Sequence, residues 1–278
     1  MVRGGRGEHG RGRQQVLSMQ RHGRDFVGML AVPADVEPQQ SWLFLNPFGQ
    51  EAIRTAPMYR SLADRLVRAG CAVLRFDYHG AGDSAGEPAD QSLDDWVGDS
   101  RCAIEHLRAV GAAPGITLFG VGLGATIAAL AAAEETAGIG TLLLWEPVIN
   151  GPQYLEALVS SHRREVARGF DMSWSAVRAA FDEPEPVAPG NLVGFDVGPR
   201  LAAQIGSTTS LPLIELANRG VRTLIASREA GARPAVSHAL VQSIMIEIST
   251  DWMANETMGS ALVPPQLIAL IDQLASSP

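Results

Sequence analysis

The sequence predicts an α/β domain in which helices pack on both faces of a mostly parallel, doubly wound sheet. Short apolar runs typical of buried strands alternate with segments of helical periodicity. One of these runs is followed at once by a glycine-rich turn and a helix of small residues, a connection typical of parallel sheets. The chain of 278 residues is long enough for one such domain with an insertion.

The first part of the sheet is predicted between residues 41 and 84. An apolar strand at residues 41–45 ends in a turn at residues 46–49, and residues 59–67 have the periodicity of a helix. Residues 71–77 are mostly apolar and predict a second strand. The glycine-rich residues 78–84 predict the loop that follows it.

Residues 120–124, with the sequence G-V-G-L-G, are the most informative segment of the chain. They follow the apolar run 116–119 and precede the small helical residues 125–131, so they predict a strand, a tight turn and a helix. In the nucleophile elbow G-x-S-x-G, a strained turn of this kind presents a serine hydroxyl above the sheet. Gly122 stands at the serine position and has no side chain.

The rest of the chain predicts an insertion and the end of the sheet. Residues 139–145 are apolar and predict another interior strand, which ends at Glu146. Residues 150–217 break the alternation and predict a helical cap. The sheet resumes at residues 221–226. The last strand and a closing helix are predicted at residues 243–248 and 264–274.

Three segments near the predicted strand ends resemble the serine-aminopeptidase-like branch of the α/β-hydrolases, which includes the exosortase-associated hydrolases. These segments are residues 46–51, 76–87 and 144–148. The resemblance covers residues 40–160 and implies an α/β-hydrolase fold whose cap defines an acyl pocket. Some members of this branch lack the elbow serine, and this chain resembles them in having glycine at position 122.

The N-terminal residues 1–24 are rich in arginine and glycine and predict a disordered basic leader before a single domain at residues 25–278. The remaining chain is acidic, with an overall net charge of -8, and predicts no nucleic-acid interface. No apolar run approaches the roughly 18 residues of a membrane span, and no secretory signal is evident. We therefore expect a cytoplasmic protein. All basic residues are arginine, which indicates a GC-rich bacterium.

No cofactor or metal site is predicted. The glycine turn lacks the G-x-G-x-x-G spacing and the later acidic residue that a dinucleotide site requires. The two cysteines, Cys71 and Cys102, have no C-x-x-C spacing and lie in apolar patterns, so we expect both to be buried and unreactive.

The resemblance implies an oxyanion site made by two backbone N–H groups, those of Leu123 and Phe48. We expect a substrate pocket whose floor is Gly122 and Leu123 and whose roof is the cap. Tyr154, in the cap, and Trp252, after the last strand, are predicted to contact the substrate.

The other members of a Ser-Asp-His triad are hard to place. Glu229 follows the predicted strand where the acid normally lies, but no histidine follows the last strand. His162 and His238 occur elsewhere and are better explained as structural. Three residues at predicted strand ends remain as candidates for proton transfer: Glu146, His79 and Asp251. His79 is equally well explained as a loop residue.

Without a serine and its base, an acyl-enzyme is not expected. The first hypothesis is an acyltransferase that moves an ester- or thioester-bound acyl group, including one on a carrier protein, to a peptide or natural-product acceptor with its own nucleophile. The second is a pseudohydrolase that only binds a ligand or partner. The third is a hydrolase with a relocated nucleophile such as Ser84, which we consider the weakest because Ser84 lies in a turn.

Overall fold

The computed structural model describes residues 12–109, 115–135, 138–228, 236–247 and 263–276. The strands are β1 (Arg13–Arg21), β2 (Arg24–Val32), β3 (Gln40–Leu45), β4 (Cys71–Phe76), β5 (Ile116–Val121), β6 (Ile139–Trp145), β7 (Gly190–Leu192), β8 (Phe195–Val197), β9 (Arg222–Ser227) and β10 (Val241–Met245). The α-helices are α1 (Gln50–Arg68), α2 (Leu93–Ala109), α3 (Leu123–Glu134), α4 (Gly151–Gly169), α5 (Trp174–Phe181), α6 (Pro199–Ser207), α7 (Leu213–Asn218) and α8 (Pro265–Ala275).

The central sheet has eight strands in the order β1-β2-β4-β3-β5-β6-β9-β10. β1 and β2 pair antiparallel, and β2 pairs antiparallel with β4, whereas all further neighbours from β4 to β10 are parallel. This topology confirms the predicted mostly parallel α/β sheet. The carboxyl ends of the parallel strands meet at one edge, where ligands of open α/β sheets bind.

Two hydrophobic cores lie on opposite faces of this sheet. Along β3, Leu43 and Leu45 belong to the core beneath α2 and α3, whereas Trp42 and Phe44 belong to the core beneath α1 and α8. Side chains of a strand alternate between faces, so an interior strand covered on both sides reads as a continuous apolar run. Burial on both faces therefore explains the continuous apolar run at residues 41–45.

The insertion between β6 and β9 contains the four helices α4 to α7 and the β7–β8 hairpin. A Cβ atom on Gly151 would lie 1.6 Å from the carbonyl oxygen of Ile205, so the start of α4 can pack against α6 only with glycine there. The side chain of Gln204, also in α6, accepts a hydrogen bond of 2.7 Å from the N–H of Leu93 at the start of α2. The first turn of α4 is therefore fixed relative to the main domain.

The N-terminal boundary differs from the prediction. The leader was expected to extend to residue 24, but Arg13–Arg21 form β1. Met19 of that strand is buried in the core beneath α2 and α3. β1 is an edge strand with mostly exposed polar side chains, and this gives it the composition of a loop. Residues 1–11 lie outside the described part of the chain.

Arginines of the expected leader pair with a buried carboxylate on α2. The side chain of Asp99 is fully buried, and its Oδ1 lies 3.1 Å from Nε of Arg21 and 3.9 Å from Nε of Arg24. Its Oδ2 accepts a hydrogen bond of 3.1 Å from the N–H of His79. Burial raises the pKa of Asp99, and these donors act in the opposite direction. The β1–β2 hairpin is thus attached to the domain by charge as well as by strand pairing.

We expect Arg21→Met to lower the free energy of unfolding by up to about 3 kcal/mol. The change removes the nearer of two cations from a buried carboxylate and leaves Arg24, 3.9 Å away. Adding Asp99→Asn to this variant should restore part of the loss, since the buried charge is then gone. Arg65→Met, which breaks the exposed Arg65–Asp272 pair, is the control and should have a much smaller effect. Urea unfolding of the variants measures these differences, and equal losses for Arg21→Met and Arg65→Met would contradict the account.

Candidate active site

The turn after β5 has the geometry of a strand-to-helix elbow. Gly122 has φ 55° and ψ -124° and lies between the end of β5 and the first residue of α3. Its N–H donates a hydrogen bond of 2.9 Å to the carbonyl of Trp145, and its own carbonyl accepts one of 3.1 Å from the N–H of Ala125. Hydrogen bonds on both sides therefore hold a backbone conformation that glycine adopts without steric cost.

The two flanking glycines allow close backbone contacts, Gly120 within the elbow and Gly124 between the elbow and the turn after β3. A Cβ atom on Gly120 would lie 2.4 Å from the carbonyl carbon of Gly124. One on Gly124 would lie 2.3 Å from the carbonyl oxygen of Leu45, the last residue of β3. The spacing G-x-G-x-G is therefore explained by packing, and it brings two loops of the candidate site together.

The turn after β3 is held by buried hydroxyl groups. Tyr59 donates a hydrogen bond of 2.9 Å to the carbonyl of Leu45, and Tyr78 donates one of 3.1 Å to the carbonyl of Asn46. Burial raises the pKa of both tyrosines, so both stay protonated donors. The side-chain amide of Asn46 donates 2.9 Å to Oδ1 of Asp77 and so joins this turn to the loop after β4.

Glu51 is a site residue that sequence reasoning missed. It lies in the first turn of α1, directly after the β3 turn, and its carboxylate lies over Gly122. A Cβ atom on Gly122 would be 2.7 Å from Oε2 of Glu51 and 3.5 Å from its Cδ. The space directly above Gly122, which we expected to be open, therefore holds a carboxylate.

The N-terminus of α3 favours negative charge at this position. The first N–H groups of a helix lack intrahelical acceptors, and the helix dipole places partial positive charge there. Leu123 is the first residue of α3, so its N–H is one of these groups. Phe48 lies in the neighbouring β3 turn, where its ring packs against Trp96 and Phe195 with centroid distances of 5.9 and 6.0 Å. The two predicted oxyanion residues thus belong to adjoining turns of one core.

Tyr154 extends toward the same region from the cap. It lies on α4, packs against the core that contains Phe48 and Leu123, and has a buried hydroxyl oxygen. That hydroxyl has no hydrogen-bond partner among the described residues. Burial raises the pKa of Tyr154, and the negative charge of Glu51 raises it further. The other predicted substrate contact, Trp252, lies outside the described residues.

Glu146 follows β6, as the sequence predicts, but its carboxylate is engaged by a cation. Oε1 accepts a hydrogen bond of 2.6 Å from Nε of Arg228 and another of 3.2 Å from the backbone N–H of that residue. Arg228 follows β9, so this ion pair joins the ends of two neighbouring strands. The geometry gives Glu146 a structural role, and its predicted role as a base stays untested.

His79 is not brought to the elbow. Its Nδ1 lies 2.8 Å from the carbonyl oxygen of Asp25 in β2, and its ring packs against Gly86. β2 and β5 are separated by β4 and β3, which corresponds to about 14 Å across the sheet. The interpretation of His79 as a loop residue therefore fits, whereas a catalytic role at Gly122 does not. The third proton-transfer candidate, Asp251, and the possible triad acid Glu229 lie outside the described residues.

Other nucleophile and base candidates have structural contacts. Ser84 donates 2.7 Å to the carbonyl of Asp77 and accepts 3.0 Å from the N–H of Val27, which fits its expected role in a turn. His162 and His238 each accept a backbone N–H through Nδ1, from Val193 and Leu240 respectively. Within the described ranges, no three His, Cys, Asp or Glu side chains converge into a metal-binding group.

The sheet order and the elbow after β5 agree with a family comparison. Residues 52–190, half of the chain, match the model of a family described as serine aminopeptidase, S33. The chain belongs to this α/β-hydrolase family. The matched residues include the turn at residues 120–124, in which Gly122 is the central residue.

Solved α/β-hydrolases share the fold along nearly the whole chain. Est1E from Butyrivibrio proteoclasticus, solved with ferulic acid bound, has a TM-score of 0.61 and 14% identity, with 93% of this chain and 97% of Est1E covered. Proline iminopeptidase from Mycobacterium smegmatis has a TM-score of 0.58 and 16% identity, with coverages of 94% and 97%. The thioesterase domain from the curacin biosynthetic pathway has a TM-score of 0.54 and 14% identity, with coverages of 95% and 99%.

These similarities support the fold and no more specific activity. No curated protein sequence is significantly similar to the chain. In the part of the chain that the structure describes, no helix combines the length and apolar composition needed to cross a membrane.

We expect neither cysteine to act as a nucleophile. Burial raises the pKa of Cys71 to about 11, and it also raises the pKa of Cys102. A raised thiol pKa leaves little thiolate, the reactive form, at neutral pH. Iodoacetamide at pH 8 should therefore label neither residue in the folded protein and both in urea, as measured by mass spectrometry. Rapid labelling of either cysteine in the folded protein would contradict this.

Proposed function

We propose that this α/β-hydrolase is an acyltransferase that moves an ester- or thioester-bound acyl group to an acceptor without forming an acyl-enzyme. The acceptor supplies the nucleophile, and Glu51 is the general base that takes its proton. The observation that carries the proposal is the position of Oε2 of Glu51, 2.7 Å from where a side chain would begin on Gly122. A proton acceptor thus lies where related enzymes present a serine hydroxyl.

In the proposed reaction, the nucleophile of the acceptor gives its proton to Glu51 as it attacks the acyl carbonyl carbon. The carbonyl oxygen becomes an oxyanion, and we propose that the N–H groups of Leu123 and Phe48 stabilise it. When the tetrahedral intermediate collapses, the bond between the acyl carbon and the sulfur or oxygen of the donor breaks. The leaving group then takes the proton from Glu51, which returns to its ionised form.

Glycine at position 122 suits this reaction for a chemical reason. A serine there would form an acyl-enzyme, and hydrolysis of that intermediate would compete with transfer. In its absence, binding of donor and acceptor side by side supplies the rate enhancement of proximity, which can be large. The general base adds a further factor of roughly 10²–10⁴.

A thioester on a carrier protein is the donor that we favour, because its carbonyl is already activated toward attack. The acceptor would then be a natural-product intermediate. We also propose that the protein acts in the cytoplasm, where two free cysteines such as Cys71 and Cys102 stay reduced. The similarity to a thioesterase domain supports only the fold on which this proposal depends.

The test uses the benzoyl thioester of N-acetylcysteamine as donor and three matched acceptors, benzyl alcohol, benzyl mercaptan and benzylamine. We expect Glu51→Gln to lower the rate of transfer, summed over the three acceptors, by roughly 10²–10⁴-fold. The glutamine amide has nearly the same shape as the carboxylate but cannot accept the proton. Glu134→Gln is the matched control. It changes an exposed glutamate at the far end of α3, about 18 Å from Gly122, and should leave the rate unchanged.

Product formation by liquid chromatography and thermal unfolding of each variant are the readouts. A Glu51→Gln variant that folds and retains the wild-type rate would contradict the role of Glu51. A loss of rate in Glu146→Gln without one in Glu51→Gln would assign the base to Glu146 instead. If the wild-type protein is no faster than the uncatalysed exchange with all three acceptors, the chain is a binding module and the acyltransferase proposal is wrong.

A further inference from the structure

Tyr154 is held at the candidate site by a rigid part of the cap. The side chain of Asn150 caps α4 by accepting a hydrogen bond of 3.1 Å from the N–H of Gln153. The N–H of Gly151 donates 2.8 Å to the carbonyl of Thr208 after α6. Tyr154 lies one turn into this anchored helix, where its N–H donates 3.0 Å to the carbonyl of Asn150. The anchored start of α4 therefore fixes the position of Tyr154.

The hydroxyl of Tyr154 is a donor available to a substrate. Buried tyrosine hydroxyls normally have a partner, and an unsatisfied one costs about 1–3 kcal/mol. This hydroxyl is buried and has no protein partner among the described residues. Because burial and the charge of Glu51 both raise the pKa of Tyr154, the phenol stays protonated. The site thus combines a fixed donor, Tyr154, with an acceptor, the Glu51 carboxylate.

A donor and an acceptor at one site discriminate between classes of nucleophile. A hydroxyl group has one proton and two lone pairs, so it can give its proton to Glu51, accept a hydrogen bond from Tyr154 and still attack with the second lone pair. A neutral amine has a single lone pair, which it needs for the attack. A thiol is only a weak donor and a weak acceptor, so it gains little from either residue.

We propose that the nucleophile of the acceptor is a hydroxyl group, bound by the Glu51 carboxylate and by the phenol of Tyr154. The inference rests on the proposed function and adds the acceptor class to it: the product is an ester. Tyr154 contacts the reacting oxygen in this account and is therefore a specificity-determining residue of the cap.

The experiment compares Tyr154→Phe with the wild-type protein, using the same benzoyl thioester and the three benzyl acceptors. Phenylalanine removes only the hydroxyl. We expect transfer to benzyl alcohol to fall about tenfold, which corresponds to the net value of one hydrogen bond, and transfer to benzyl mercaptan and benzylamine to change less than about twofold. Phe170→Leu is the control, because it changes an exposed aromatic residue of the cap directly after α4. It should leave transfer to all three acceptors unchanged.

Binding of benzyl alcohol and benzyl mercaptan, measured by NMR titration, is a readout independent of turnover. Tyr154→Phe should weaken the binding of the alcohol several-fold and leave that of the thiol unchanged. Equal losses for all acceptors would show a structural role for Tyr154, and no loss for the alcohol would exclude the contact. Either result overturns the proposal that the acceptor nucleophile is a hydroxyl group bound by Tyr154. A loss of transfer in Glu51→Gln would still support the acyltransferase proposal. Absence of transfer in the wild-type protein would overturn the acyltransferase, and the binding data would then decide the hydroxyl contact.

Discussion

The contact between the turn after β5 and the turn after β3 determines where the groups of the candidate site lie. Gly124 approaches the carbonyl of Leu45 so closely that no other residue would fit without a shift of the backbone. α1 begins directly after the β3 turn, so this contact also sets the position of its first turn. Glu51 reaches over Gly122 for that reason. Each flanking glycine of the elbow, Gly120 and Gly124, thus has a packing role that does not depend on the residue at position 122.

The two carboxylates at this edge of the sheet, Glu146 and Glu51, occupy different positions. Glu146 is neutralised by Arg228 through a direct ion pair of 2.6 Å. Glu51 lies over Gly122 at the N-terminus of α3, where the helix dipole favours negative charge. We propose Glu51 rather than Glu146 as the base because the Glu51 carboxylate lies directly over Gly122.

The sequence predicted most of the sheet because buried strands such as Gln40–Leu45 have continuous apolar patterns. It did not predict β1 or β2. The mostly exposed residues of β1 carry no such pattern, and the apolar residues of β2 were not assigned to a strand. Gly122 was identified from local spacing, whereas Glu51 was missed because its role depends on the approach of two loops far apart in the chain. The segment at residues 46–51 contained the signal, an acidic residue at a helix start next to the expected oxyanion turn. Likewise, nothing near Glu146 indicates that its partner is Arg228.

The most direct test of the central claim is whether the protein carries a covalent acyl group during the proposed transfer. The protein is mixed with excess benzoyl thioester and benzyl alcohol, quenched in acid at steady state and examined by intact-protein mass spectrometry. The account predicts that product accumulates while the protein mass stays that of the unmodified chain, because the acceptor attacks the donor directly. A stoichiometric benzoyl adduct on any residue that forms and decays at the rate of turnover would contradict it.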